Sequence, residues 1–253
     1  MTPPRIKIVA EGETGGTTGA DVGGDIPNIP LLDDELQHPP VETKPTWRGW
    51  IHAGMFPLAV AAGIVLIVLA DGGPAKAAAA VFMATSVLLF GISALYHRFN
   101  WSPQVKAVFR RLDHANIFLL IAGTYTPLAT AALPFGEGIV LLCLVWGGAL
   151  LGIAFRVFWL RAPRWSYVPL YLLLGWAALL YVGDLVQFNG VAMILIAVGG
   201  LAYTTGALFY GFKRPNPIPG VFGFHELFHT CTVIAFMCHW TATLLILTHP
   251  LGW

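Results

Sequence analysis

Seven apolar stretches, each long enough to cross a bilayer, dominate this 253-residue chain and decide what it can fold into. A helix needs roughly 20 mostly apolar residues to traverse the hydrocarbon core. Such stretches run over about 51 to 70, 77 to 97, 113 to 133, 138 to 159, 165 to 182, 190 to 212 and 225 to 247. Within hydrocarbon a single segment can satisfy its own backbone only as a helix. The intervening strings "DGGPAK", "NWSPQ", "LPFGEG", "LRAPRW", "QFNG" and "RPNPIPG" are helix-stopping or turn-forming. They are short, so consecutive helices should be antiparallel neighbours. The expected fold class is all-α integral membrane, with seven transmembrane helices. Composition agrees, since 57% hydrophobic and only 11% charged residues exclude an ordinary soluble domain.

Residues 1 to 45 differ sharply from the rest. They are rich in Gly, Pro, Thr and acids and lack the apolar centre of a cleavable signal, so they read as a disordered tail preceding a seven-helix domain over 46 to 253. Lys and Arg accumulate on the cytoplasmic side of membrane proteins. Arg5, Lys7, Lys44 and Arg48 precede the first span, and Arg98, Lys106, Arg110 and Arg111 lie between the second and third. Arg161 and Arg164 follow the fourth and Lys213 and Arg214 the sixth, whereas the opposite side has only Lys76. The N-terminus and its tail are therefore expected in the cytoplasm and the C-terminus outside, in a multi-pass protein of the cell membrane. Arg156, one turn inside the fourth span, is expected to snorkel to the same side. Trp47, Trp50, Trp101, Trp159 and Trp165 cluster at the cytoplasmic ends, where indoles favour the interface. Cys143, Cys231 and Cys238 fall in apolar runs and read as buried thiols. The net charge of +1 singles out no partner.

Ionisable groups in or at the edge of spans call for a partner or a purpose. Given this topology, His97, Asp113, His225 and His229 all lie at the inner-leaflet level. His225 and His229 are four residues apart, so their imidazoles stack on one helix face, as two ligands of one ion must. Ser93 and His97 in "SALYH" repeat the spacing. Neutral imidazoles are common zinc ligands, and three protein ligands with an open fourth position characterise a catalytic site. Zinc would lower the pKa of its water to about 7. Asp113 could orient or deprotonate that water, serve as a ligand, or act as the N-cap of the third helix. Ser93 could hold a ligand or a substrate oxygen, or simply be a small packing residue.

Other polar positions fit this cluster less well. His239 is fourteen residues past His225, about 21 Å deeper on nearly the same face, and reads as a hydrogen-bonded histidine of the bundle. His114 points about 100° away from Asp113, toward a neighbouring helix or the interface. "HELFH" matches the HExxH string of zinc proteases, with Glu226 as general base. Here, however, the helix enters a membrane and the third histidine lies upstream. Pro127 in "AGTYTP" removes a helix hydrogen bond and is a candidate kink beside a cavity for a lipid chain. Arg98, Arg110 and Arg111 read as topology determinants that could also attract anionic headgroups.

The strings "SALYHRF", "RRLDHANIFLLIAGTYTP" and "HELFHTCTVIAFMCH", in that order, resemble the bacterial hemolysin III family over roughly residues 45 to 250. That family is grouped with the progestin and adipoQ receptors, including the adiponectin receptors, and more distantly with alkaline ceramidases. The resemblance implies a seven-helix fold with a cytoplasmic N-terminus and a zinc held by His97, His225 and His229. It also implies that Asp113 holds the zinc-bound water and that Ser93 is the serine of an SxxxH motif. A zinc-dependent hydrolase of ceramide-like lipid amides follows as the expected activity, with that lipid substrate and membrane lipids, and no nucleic acid, as partners. The alternative is a non-enzymatic membrane protein with structural zinc, acting in signalling, transport or lysis. The short outer connections offer no platform for a protein hormone, and no amphipathic pore-lining pattern supports a toxin.

Overall fold

The computed structural model describes residues 44–159 and 162–249, and the expectation of a disordered tail lies outside them except at residues 44 and 45. Helices α1 (Trp50–Leu69), α2 (Gly72–Arg98), α3 (Pro103–Ala131) and α4 (Phe135–Phe158) follow one another through connections of a few residues. Then come α5 (Arg164–Gly175), a 3₁₀ segment (Ala177–Tyr181) and α6 (Val182–Phe188), followed by α7 (Gly190–Phe212) and α8 (Phe224–Leu247). Among the described residues there is no β-strand beyond one isolated bridge between Ile218 and Phe222.

Six segments are long and apolar enough to cross a membrane: α1, α2, α4, the stretch Arg164–Phe188, α7 and α8. The protein is a multi-pass membrane protein of the all-α class. Helix α3 is absent from those six although it has 29 residues, because Asp113, His114, Asn116, Thr124, Thr126 and Thr130 dilute its apolar content. Its place in the bundle explains that tolerance. It packs on α2, α4, α5 and α8, so protein rather than lipid surrounds much of it. Small residues permit the close approach. A methyl group on Gly123 would lie 2.0 Å from Thr85 Oγ1, and one on Gly152 2.3 Å from the Phe118 ring.

Three expectations change. Helix α3 starts at Pro103, with Ser102 at the N-cap position, so Asp113 is three turns inside the helix and cannot be its N-cap. The fifth span, read as continuous, is interrupted between α5 and α6, whereas α3 continues through Pro127 to Ala131. The cysteines are free thiols, but Cys143 is exposed and Cys231 and Cys238 are half-buried. In a membrane helix an apolar outward face meets lipid, so an apolar neighbourhood in sequence does not imply a protein interior.

The interruption is repaired by a side chain from the central helix. Tyr125 Oη donates to Gly175 O at 2.6 Å and accepts from Ala178 N at 2.9 Å, so one buried hydroxyl serves a carbonyl and an amide freed by the break. Trp176, at the break, donates from Nε1 to Thr204 Oγ1 on α7 at 3.1 Å. Unsatisfied backbone groups in hydrocarbon each cost several kcal/mol, which makes such repair a condition of the fold. Tyr125→Phe keeps the ring and strands both groups. We expect it to lower stability by about 1–3 kcal/mol, read as a reduced thermal midpoint in detergent, with faster hydrogen exchange at the Ala178 amide.

Candidate metal centre

His97 stands in the last turn of α2, and His225 and His229 occupy the first two turns of α8. Adjacent ends of two helices thus bring three imidazoles together, with one ligand atom of each within 4.8 Å of the others. Nε2 of His225 lies 3.1 Å from Nε2 of His97. The ring of His97 crosses those of His225 and His229 at 72° and 62°, so edges rather than faces converge. Asp113 Oδ2 is 3.7 Å from His97 Nε2. Ser93, one turn before His97 and 2% exposed, adjoins the Asp113 carboxylate. All five predicted residues meet at one end of the bundle. The donor set suits a borderline divalent ion, since two facing imidazole nitrogens share at most one proton and a third imidazole and a carboxylate crowd the same point.

The segment before α1 locks this end. Thr46 N and Trp47 N donate to Gly220 O and Val221 O just before α8, each at 3.2 Å, and Lys44 Nζ donates to Phe99 O and Asn100 Oδ1 just after α2, each at 3.0 Å. Gly49 then turns the chain with φ +81° against His97, where a Cβ would come within 3.0 Å of His97 Cβ. Only glycine takes that conformation at no steric cost.

Glu226 does not face the histidines. It is 1% exposed, pairs through Oε1 with Arg48 Nε, and accepts from Gly223 N at Oε2 across 2.8 Å. It caps its own helix, where a carboxylate also complements the helix dipole. The literal HExxH string therefore encodes a cap rather than a general base. Arg156 also departs from expectation. It is 1% exposed instead of snorkelling, with Nη2 3.1 Å from His114 Nδ1 and its guanidinium 4.1 Å above the Tyr167 ring. An aromatic face and an imidazole replace the water it would otherwise reach. His114 faces the neighbouring helices, with Nε2 3.4 Å from Tyr210 Oη. His239, predicted to be hydrogen-bonded, has no partner for its buried Nε2 among the described residues.

His52 escaped the sequence reading. It sits in α1, 2% exposed, with its ring stacked on His229 at 3.7 Å and 7° and edge-on to Phe90 at 5.1 Å. Neither ring nitrogen has a hydrogen-bond partner among the described residues. A histidine inside the apolar run "GWIHAG" was the available signal.

A cavity of about 1100 Å³ of empty space, mouth included, adjoins the cluster. Ser93, Asp113, His225 and His229 line it, as do Leu89, Ile117, Leu120, Ile121 and Phe228, and it reaches Thr124 and Tyr125 of "AGTYTP" and His239. A mostly apolar chamber with most of its ionisable groups at one end is the form expected of a site for an amphiphile.

The molecule is thus a multi-pass α-helical membrane protein with a buried three-histidine cluster opening on an apolar cavity. Residues 41–240 match the family described as haemolysin-III related, and the chain belongs to that family. It is 35% identical over 161 residues to "Hemolysin-3" of Bacillus cereus, covering 62% of this chain and 73% of that protein. It is also 33% identical over 135 residues to "Hemolysin-3 homolog" of Bacillus subtilis (strain 168), covering 53% of this chain and 63% of that protein.

If Glu226 is a cap, Glu226→Gln should destabilise the protein by on the order of 2 kcal/mol, because it discharges one partner of a largely buried ion pair. Metal content per chain should stay at the native value. Unchanged stability with abolished metal binding would instead place Glu226 in the site.

Proposed function

We propose that this protein is a zinc-dependent hydrolase of lipid amides of the ceramide type. It is built on seven transmembrane helices with the N-terminus in the cytoplasm and the C-terminus outside. The observation that carries the reading is the junction of three imidazoles, Asp113 and Ser93 with one end of an apolar cavity. Two further observations support the topology. Central α3, shielded by protein, makes a seventh crossing beside the six apolar ones. The ends of α2 and α8 that carry the histidines adjoin Lys44, Arg48 and Arg98, which by the positive-inside rule is the cytoplasmic side.

His97, His225 and His229 would hold the zinc. When bound, it supplies a Lewis acid for the carbonyl and lowers the pKa of water to about 7. The apolar chamber takes the acyl chain and places the amide carbonyl carbon at its polar end. Asp113 accepts a proton from the attacking water and returns it to the departing nitrogen, so the carbon–nitrogen bond breaks to give a fatty acid and an amine. Ser93 steadies the Asp113 carboxylate. His52, stacked on His229, fixes the plane of that ring.

A second reading has its own observation. The three histidines join the end of α2 to the start of α8, so an ion there could serve only to pin those helices, with signalling, transport or lysis as the output. "Hemolysin-3" is the name its Bacillus cereus relative bears.

Elemental analysis of detergent-purified native protein beside a His225→Ala/His229→Ala variant separates the readings, with ceramide and simpler fatty amides offered to both. We expect about one zinc per chain in the native protein only, and fatty acid release that a chelator stops and added zinc restores. Zinc without release of fatty acid would favour the pinning role. Absence of metal from native protein supplied with zinc would overturn both.

A further inference from the structure

Arg156 is a fully buried guanidinium whose polar contacts are an imidazole and a carbonyl rather than a carboxylate, and the proton positions that follow from it reach the cavity. A guanidinium has only donors. Its Nη2 lies 3.1 Å from His114 Nδ1, so Nδ1 must be the acceptor and the ring proton must sit on Nε2. The carbonyl of Arg110, one turn earlier on α3, also lies near the ring. A proton on Nδ1 aimed at it would, however, set one donor against another. His114 Nε2–H therefore points at Tyr210 Oη, 3.4 Å away.

Tyr167 supplies the second constraint. It is 4% exposed, and its hydroxyl has one hydrogen-bond partner among the described residues, Tyr210 Oη at 3.3 Å. Either hydroxyl can donate in this pair, but of the two only Tyr210 lines the cavity, so with a ligand oxygen in the cavity both protons find acceptors when Tyr167 donates to Tyr210 and Tyr210 donates to the ligand. In that arrangement the Tyr210 oxygen receives two hydrogen bonds, from His114 and Tyr167, and its own proton turns to the cavity. Tyr210 lines the cavity together with Asp113, His225 and His229, and its ring centroid is 5.9 Å from that of His225. Arg164 holds it in place, donating to Tyr210 O at 2.7 Å with its guanidinium 4.4 Å above the ring.

We propose that Tyr210 is the hydrogen-bond donor for a ligand oxygen at the histidine end of the cavity, its proton aimed there by a relay from Arg156 through His114. The ligand class is a lipid carrying a carbonyl oxygen at its polar end. The proposal rests on the reading of the cavity as a lipid site given above, and adds the group that holds the oxygen. Tyr210 touches the ligand, whereas Arg156 and His114 are positioning residues. Two accepted hydrogen bonds polarise the Tyr210 O–H bond and strengthen it as a donor. A donor fixed in advance at the place where carbonyl oxygen gathers negative charge favours the transition state over the ground state.

Two measurements on the full chain in detergent test this. Nitrogen NMR of ¹⁵N-histidine protein, with His114 identified by comparison with His114→Gln, reads the relay without any ligand. We expect an unprotonated Nδ1 and a protonated Nε2 in the native protein, a mixture of tautomers in Arg156→Met, and return toward the native pattern in Arg156→Lys. A protonated Nδ1 in the native protein overturns the proposal. The second measurement titrates chelator-treated protein with a ¹³C-carbonyl fatty amide, a fatty methyl ester and a fatty alcohol, following tryptophan fluorescence and the carbonyl stretch. Tyr210→Phe should weaken the carbonyl ligands roughly three- to tenfold, the loss of one hydrogen bond, and move the stretch to higher wavenumber. Equal affinity and an unmoved stretch overturn the proposal. An ester that binds in a Tyr210-dependent way when the amide does not bind would uphold Tyr210 and remove the amide reading. Failure of all three to bind native protein would overturn both.

Discussion

Hydrocarbon offers no partner to a backbone amide or carbonyl, and the architecture of this protein answers that constraint. Helices satisfy most of the chain internally. Hydroxyls in the spans are turned to the same end: Thr124, Thr126, Thr130, Thr204 and Thr232 each donate to the carbonyl four residues earlier. Where the fifth span breaks, a tyrosine from α3 supplies what the helix cannot. Irregular backbone at membrane depth is tolerated where it is buried or lines a cavity, and Gly175 and Trp176 at this break line the chamber next to the histidines. The break and the chamber are thus one feature.

The polar end is held by an ion pair whose carboxylate is buried. Glu226 caps the first turn of α8, on which His225 stands, and Arg48 ties that turn to the segment ahead of α1. That segment is bonded on one side to the loop before α8 and on the other to the end of α2. Three pieces of chain that must agree for His97 and His225 to meet are therefore joined independently of any ion. Prior organisation of this kind lowers the cost of gathering the three imidazoles and keeps them edge to edge.

Much of this was legible in the sequence, and the boundary has a physical origin. Depth is legible. A helix rises about 1.5 Å per residue, so the ends of the apolar runs fix the level of each polar residue, and the sequence alone puts His97, Asp113, His225 and His229 at one level. Rotation about the helix axis is much less legible. In a soluble helix the apolar stripe marks the inward face, but lipid is as apolar as the bundle core and leaves no such stripe. Arg156 could therefore be read as reaching outward when it turns inward to His114, and Cys143 as buried when it is exposed. Pairs on the same helix, such as His225 and His229, escape this difficulty because their spacing fixes their relative rotation. Contacts across the chain do not: the stacking of His52 on His229 joins the first span to the last, and Arg48 finds Glu226 across 178 positions.

The same equivalence of lipid and protein interior bears on what the chamber can select. A ligand entering from water would gain about 0.8 kcal/mol for each methylene buried. One entering from the bilayer leaves surroundings as apolar as those it meets, and tail length contributes little to affinity. Discrimination must then come from the few groups that lipid cannot mimic: the three imidazoles, Asp113, Ser93 and the Tyr210 hydroxyl, all grouped near one end. His239 and the neighbouring Tyr203 stand apart from that group on the same wall, and the buried Nε2 of His239 has no partner among the described residues. Under the proposed reading, a lipid bound there would be oriented by its head rather than measured by its tail, and the polar groups that set its position would be the same ones available to act on it.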